Sequence, residues 1–282
     1  MLPILGGGGF GAVYKFKDNL ALKVPTSEAY ARSIYREVSF MKRIDSKFIL
    51  RLVHSFDLRR GFPVLLSELC PMDLDILREY WETFLDEVPL QMVKYVATCV
   101  CMAIGHLHQR SVAHFDIKTN NVLISVHGIP KLCDLGSVHP LNEAGESVHG
   151  VEFMNFTLYK NMTPEVLRGG AASWRADYYA LGVLLFELME GRHPLWTELP
   201  TRAEAIMKIL EGTIIYTDTE HVFRDLINRL VCWLCDYYVN NFPTDMVTSP
   251  ILDIAQEVLA EEQLEMGPLT ANSSVRNIVD NG

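Results

Sequence analysis

Basic residues run in deficit and cysteines are few in this chain of 282 residues. Lys and Arg total 25 against 35 Asp and Glu, a formal net charge of −10. That balance argues against a general binder of nucleic acid or of anionic membrane, since both want a basic face. It leaves nucleotide binding open, because a nucleotide site works by local charge. The six cysteines (Cys70, Cys99, Cys101, Cys133, Cys232 and Cys235) are scattered. Cys232-Trp-Leu-Cys235 is a C-x-x-C with no second ligand pair, which reads as buried thiols on a helix rather than a zinc or redox site. The longest apolar run, Tyr178 to Met189, is broken by Glu187 and too short to cross a bilayer. Met1 to Leu5 carries neither a charged start nor a long apolar core, so no signal peptide is expected there. Internal repeats and interdomain linkers are missing too. These absences lead us to expect a cytoplasmic protein in a reducing compartment, with no membrane span and no nucleic-acid partner. In that setting the sequons at Asn155 and Asn161 carry no meaning.

What is present is a globular composition, 49% hydrophobic and 21% charged, on a chain long enough for one large domain or two lobes. The first conspicuous stretch is Gly6-Gly7-Gly8-Gly9-Phe10-Gly11-Ala12-Val13, which fits G-x-G-x-x-G-x-V. Glycines let backbone N–H groups close over phosphates without a Cβ in the way. A dinucleotide-binding unit would continue into a helix; here Val13 to Phe16 reads as a strand, Asp18-Asn19 as a tight turn and Leu20 to Val24 as a second strand. Ser27 to Ile44 follows as a helix, with Ser27 as its cap and Ile34, Val38, Met41 and Ile44 at helical spacing. Phe48 to Phe56 and Phe62 to Leu69 read as two more strands. From Asp73 onward the pattern turns helical: Leu74, Leu77 and Trp81 on a short helix, Leu90 to Leu107 on a long one.

The densest chemistry lies in His114-Phe115-Asp116-Ile117-Lys118-Thr119-Asn120-Asn121, followed by Lys131-Leu132-Cys133-Asp134-Leu135-Gly136. Asp116 can accept a proton from a hydroxyl, Lys118 can hold a transferring phosphoryl group, and Asn121 and Asp134 are hard oxygen ligands suited to Mg²⁺. Phosphoryl transfer needs positioning and charge neutralisation more than covalent chemistry. His127-Gly128, between Ile124-Ser125-Val126 and Pro130-Lys131-Leu132, signals a hairpin that would set Asn121 near Asp134.

These stretches resemble the catalytic and metal loops of eukaryotic protein kinases, H-R-D-L-x-x-x-N and D-F-G. The resemblance covers roughly Leu5 to Glu262. It implies a bilobal α+β fold, with a small five-stranded β lobe bearing one helix (1–68) and a larger mainly helical lobe (69–265), then a loose tail (266–282). It implies ATP and Mg²⁺ in the cleft and transfer of the γ-phosphoryl group to protein hydroxyls, of the serine/threonine type given Lys118. Asp116 and Lys118 take the catalytic roles, and Asn121 and Asp134 the metal. Leu5, the glycine run from Gly6 to Gly9 with Phe10, Gly11 and Val13, and Ala21 and Lys23 line the nucleotide. Lys23 resembles the phosphate-gripping lysine, Glu37 its helix partner, and Glu28 is the rival for that role. Ser67, Glu68 and Cys70 resemble the hinge, Ser67 guarding a back pocket that its small size would enlarge and the backbone of Glu68 and Cys70 meeting an adenine edge; a one-residue slip is the alternative register. Asp177, in a run similar to D-x-W-[SA]-x-G, would brace the catalytic loop.

The departures matter as much. Phe115 stands where the family has an Arg that grips a phosphate on the activation segment, and Arg and Lys are sparse from Asp134 to Lys160. Activity independent of phosphorylation at Ser137, Ser147, Thr157 or Tyr159 is therefore expected. Thr157 falls out of register with the family pattern. Thr163-Pro164-Glu165 replaces A-P-E, yet Asp236 to Thr244 offers no arginine for Glu165. Cys133 reads either as a pocket thiol open to covalent modification or as an inert buried one. A pseudokinase scaffold is the rival reading, a small-molecule kinase a third. A monomer is expected, with an activating partner allowed for. The run Leu65 to Glu68 and Ala180-Leu181-Gly182 resemble the cyclic-nucleotide-dependent and ribosomal S6 kinases, and His114-Phe115-Asp116 a Mos-type pattern.

Overall fold

The structure, a computed structural model, describes residues 2–8, 11–17, 19–58, 61–85, 88–148, 162–195, 198, 200–215 and 224–232. The first half forms an antiparallel sheet of five strands: β1 (Ile4–Gly8), β2 (Gly11–Phe16), β3 (Leu20–Pro25), β4 (Leu52–Leu58) and β5 (Phe62–Glu68), in the spatial order β1-β2-β3-β5-β4. Side chains alternate across a pleated strand, so register decides what faces the cleft. Val13 pairs with Lys23 and Lys23 with Leu65, while Lys15 pairs with Ala21 and Ala21 with Ser67. Val13, Ala21, Lys23, Leu65 and Ser67 thereby share one face and line one cavity.

Between β3 and β4 lies α1 (Glu28–Met41), whose buried residues Ile34, Glu37, Val38 and Met41 fall on one helical stripe. The expected cap is corrected: Ser27 sits at the N-cap position, but its side chain makes no capping hydrogen bond. The fourth strand also begins later than Phe48. Phe48, Ile49 and Leu50 turn instead toward the second half, where Leu132 N–H donates to Phe48 O (2.8 Å) and Leu50 N–H to Leu132 O (2.9 Å). Their backbone groups are satisfied across the two halves, so they cannot join the sheet.

The second half opens with β6 (Met72–Asp73), α2 (Leu74–Phe84) and α3 (Leu90–His108). Among the described residues α3 alone is long and apolar enough to cross a membrane by composition. It is the core helix of this half: Val93, Val96, Ala97, Val100, Ala103, Ile104 and Leu107 are buried against the surrounding elements. After β7 (Val112–Ala113) come a single 3-10 turn at Thr119–Asn121 and the expected hairpin of β8 (Val122–Ile124) and β9 (Pro130–Leu132), turned at Gly128 with φ 74°. A second 3-10 turn, Leu135–Ser137, leads to β10 (His139–Pro140), which pairs with β7. Then follow α4 (Pro164–Leu167), α5 (Arg175–Glu190), α6 (Arg202–Glu211) and α7 (Arg224–Cys232). Buried residues occupy every side of α5, in keeping with its long apolar run. The five-stranded sheet with one helix, followed by a mainly helical half, is the expected architecture. The tail, Cys235 and the Asp236–Thr244 stretch lie outside the described residues.

Gly182 is where α7 closes on α5. A Cβ there would stand 2.7 Å from Val231 Cγ2 and 2.8 Å from Leu230 Cβ. In an open helix Gly→Ala gains about 1 kcal/mol from propensity; at this contact overpacking outweighs it. Gly182→Ala is expected to destabilise the protein by about 1–3 kcal/mol, read from the urea midpoint; an increase in stability would contradict the packing.

Candidate active site

The site is built around a carboxylate with no solvent contact. Asp177, in the first turn of α5, accepts hydrogen bonds from His114 N–H (2.8 Å), Phe115 N–H (2.8 Å) and His108 Nε2 (2.8 Å). Burial alone would raise its pKa, but these partners hold it below the usual aspartate range. His114 extends the chain of contacts. Its Nε2 meets Cys133 O at 2.9 Å and can only donate there, so its Nδ1 is the acceptor for Asp116 N–H at 3.2 Å. One imidazole thus fixes both the segment carrying Asp116 and the strand end carrying Asp134.

Around Asp116, which is 3% exposed, two side chains converge. Lys118 Nζ lies 3.0 Å from both carboxylate oxygens. Asn121 Nδ2 donates to Asp116 O at 2.7 Å and to Oδ2 at 2.8 Å, which leaves the amide oxygen as a hard donor for a cation. Burial pushes Asp116 above the usual aspartate range despite the pull of Lys118, so it is the more basic of the two cleft aspartates. Asp134 goes the other way: Lys23 overcomes the effect of burial and holds it low and ionised. Its φ of 57° lies in the left-handed region, which aspartate tolerates better than most residues.

Lys23 reaches across the cleft. Its Nζ bonds Glu37 Oε2 at 2.8 Å and Asp134 Oδ1 at 2.9 Å. Burial disfavours the ammonium, but the two carboxylates more than restore it and keep Lys23 charged. The partner on α1 is thus Glu37, 2% exposed, and not Glu28.

These groups open on a cavity of about 480 Å³ whose lining also includes Leu5, Gly6, Gly7, Gly11, Val13, Ala21 and Leu50 on the sheet side and Ser67, Glu68 and Cys70 at the crossing between halves. A Cβ on Gly6 or Gly7 would meet nothing within 4 Å, so the strand stands clear over open space. Gly8 ends β1, and Gly9 and Phe10 lie outside the described residues. At the crossing, Ser67 Oγ donates to Glu68 O at 3.1 Å and Glu68 N–H to Arg51 O at 3.2 Å. The Glu68 carboxylate is held by Lys131 Nζ at 2.9 Å and by Arg51 N–H at 2.8 Å. Lys131 is a residue that sequence reasoning passed over; a lysine alternating into a buried hairpin strand was its available signal.

The comparisons with known proteins follow this geometry. The family profile for the protein kinase domain matches residues 1–261. The chain belongs to the protein kinase family. It is 27% identical over 248 residues to ribosomal protein S6 kinase beta of Caenorhabditis elegans, covering 82% of this chain and 43% of that protein. It is 28% identical over 251 residues to a cGMP-dependent protein kinase of Plasmodium berghei, covering 82% of this chain and 27% of that protein. A MAP kinase kinase of Saccharomyces cerevisiae, MKK1/SSP32, is 28% identical over 229 residues, covering 77% and 44%. The chain spans less than half the length of each of these curated relatives.

Two kinase positions depart from the family here. Phe115, at φ 61°, turns its ring onto His139 at 5.9 Å between centroids, inside the core. Among the described residues no well-formed hydrogen bond reaches either oxygen of Glu165. Burial pushes the Glu165 carboxyl up, and the Thr163 hydroxyl beside it draws it down by less. Thr157 and Tyr159 lie outside the described residues.

Cys133 lines the cavity, as expected, but the inert reading prevails. Burial pushes its thiol well above the ordinary value, and Cys70 is pushed up to about 12 by burial and by Glu68. The thiolate is the nucleophile, and a raised pKa leaves almost none of it near neutrality. Iodoacetamide at pH 7.5 is expected to leave Cys70 and Cys133 unmodified in the folded protein and to label both in urea, read by peptide mass spectrometry. Rapid labelling of the folded protein would contradict the burial.

Proposed function

We propose that this kinase domain transfers the γ-phosphoryl group of ATP to serine and threonine hydroxyls of proteins. The observation that carries the reading is Lys23 bridging Glu37 and Asp134 across the cleft while Asp116, Lys118 and Asn121 stand hydrogen-bonded beside it. An ammonium held between a helix carboxylate and a cavity carboxylate is set to grip the α- and β-phosphates. Asp116, buried and on the basic side for an aspartate, orients the hydroxyl and accepts its proton. Lys118 steadies the phosphoryl group against the negative charge of Asp116. Asp134 and the Asn121 amide oxygen fit a divalent cation in donor chemistry, and Mg²⁺ held there would neutralise phosphate charge. The strand from Leu5 through the glycines covers the phosphates and keeps water out. At the crossing between halves the backbone of Glu68 and Cys70 faces the adenine edge, and Ser67 leaves room behind it. The preference for serine and threonine rests on Lys118 and on the relatives.

The same reading takes 1–265 as the kinase domain, divided after Glu68, with 266–282 as a tail. It takes the protein as cytoplasmic, on the strength of its scattered cysteines, free at Cys70, Cys99, Cys101 and Cys133. A monomer needs no second chain to complete the cleft. Two observations favour a scaffold without transfer: Phe115 in place of arginine, and a buried Glu165 that no cation pairs directly among the described residues. They concern the activation segment and its anchor, while Lys23, Asp116, Asn121 and Asp134, which a chain without transfer would have no reason to keep, are all present.

Wild-type protein incubated with labelled Mg-ATP and a generic protein substrate is expected to transfer phosphate, and Asp116→Asn to lose at least about 10²-fold of that rate. Both should gain thermal stability from Mg-ATP. Stabilisation without transfer would support the scaffold, and no response from either protein would overturn the cleft assignment.

Phosphate on the activation segment has no guanidinium at position 115 to receive it. The variant with alanine at Ser137, Ser147, Thr157 and Tyr159 is therefore expected to keep wild-type transfer in the same assay. Loss of activity with an unchanged melting temperature would show that one of these hydroxyls is needed.

A further inference from the structure

The turn that carries the catalytic side chains is too short to hold itself. Thr119–Asn121 is a single 3-10 turn with no side-chain cap from Lys118, closed by Asn121 N–H to Lys118 O at 3.0 Å. Its two middle side chains are fastened from outside, by one residue of α2. Thr119 Oγ1 donates to Asp75 Oδ1 at 2.6 Å, and Asn120 Nδ2 to Asp75 Oδ2 at 2.7 Å. Both are hydrogen bonds to a carboxylate, the stronger kind. Thr119 is 5% exposed, so without Asp75 its hydroxyl would lose its acceptor in a place water hardly reaches.

Asp75 is itself on a firm footing. The preceding Asp73 caps α2 by accepting Ile76 N–H at 2.9 Å, and Met72 and Asp73 pair with Ile124 and Leu123 of β8, the strand that leaves the turn. A rigid helix start is thus tied to both ends of the segment it braces. The residues it fastens lie between Lys118 and Asn121, the two side chains that hold the Asp116 carboxylate.

We infer that Asp75 is a positioning residue for phosphoryl transfer, acting through Thr119 and Asn120 to set Lys118 and Asn121 around Asp116. The inference rests on the proposed activity. It does not touch the nucleotide-gripping Lys23, and it predicts a split between turnover and nucleotide binding. Asp75→Ala lowers kcat by roughly 10- to 100-fold, the cost of a small misplacement of catalytic groups, while KM for ATP and the thermal shift on Mg-ATP stay near wild type.

The deciding experiment exchanges the partners. Asp75→Asn and Asn120→Asp each break the pairing, the second by setting two carboxylates against each other. The double variant restores it in reverse, with Asn at 75 donating to Asp at 120 and still accepting from Thr119. Recovery of most of the wild-type kcat in the double variant supports the inference. Unchanged kcat in Asp75→Ala, or a double variant no better than Asp75→Asn, overturns it. Amide exchange at Asn121 gives a readout without activity: faster in Asp75→Asn and restored in the double variant is the expected result, and no change overturns the inference. If the wild type transfers no phosphate, the proposed function fails, and amide exchange still decides whether Asp75 holds the turn.

Discussion

A carboxylate sealed from water has to find all its partners inside the protein, and Asp177 meets that demand with two consecutive backbone N–H groups and an imidazole. The demand runs both ways. Phe115 is held at a positive φ, a conformation that costs a bulky residue about 1–3 kcal/mol and persists only where its surroundings insist on it. The bond from Phe115 N–H to Asp177 supplies that insistence, and the strained turn swings Asp116 out toward the cavity. The helix that carries Asp177 is buried without a break from Ala176 to Phe186, so the anchor cannot shift without disturbing the core.

The second constraint is the charge balance at Lys23. Glu37 comes from α1 and Asp134 from the loop after β9, elements of different halves. Either carboxylate alone would leave its neighbour in a buried site short of compensation, which is costly once water is excluded. Held together by one ammonium, the three groups tie the helix to the metal loop. Leu135, 1% exposed and directly after Asp134, packs in the core and keeps the loop turned this way. Gly136 follows for a steric reason: a Cβ there would stand 2.7 Å from Ser33 Oγ of α1 and 3.3 Å from Asp134 Oδ1.

Much of this was legible in the sequence because it is written in spacing. Strand alternation, the helical stripe of Ile34, Val38 and Met41, the His127-Gly128 turn and the ordered string from Lys23 to Asp134 each carry a period or an offset. The misreadings came where tertiary partners override local signals. Ser27 has the chemistry of a cap, yet its side chain makes no capping bond; Phe48 and Ile49 have the composition of a strand and are taken by β9. Asp177 was legible through the family resemblance, which implied that it braces the catalytic loop, and its carboxylate does accept from the backbone of His114 and Phe115 some sixty residues upstream. Asp75 and Lys131 were passed over for a related reason. A charged residue on a helix or strand looks solvated until the fold shows what lies opposite it.

Phe115 shows how one substitution can change the way a segment is ordered. An arginine in its place would carry a cation into a pocket 8% exposed and would need an anion to balance it. A phenyl ring needs none. It packs edge-on against His139, whose Nδ1 bonds Ser137 O at 2.8 Å, and His139 pairs with Ala113 in the strand just before the catalytic turn. Further along, Leu141 N–H donates to Ser111 O and Ser147 N–H to Ala172 O, both at 2.8 Å. Beyond the Asp134 ion pair with Lys23, backbone pairing and apolar burial hold the segment from Leu135 to Val148 among the described residues. The ring thus takes part in tying the segment after the metal loop back onto the strand that precedes the catalytic turn.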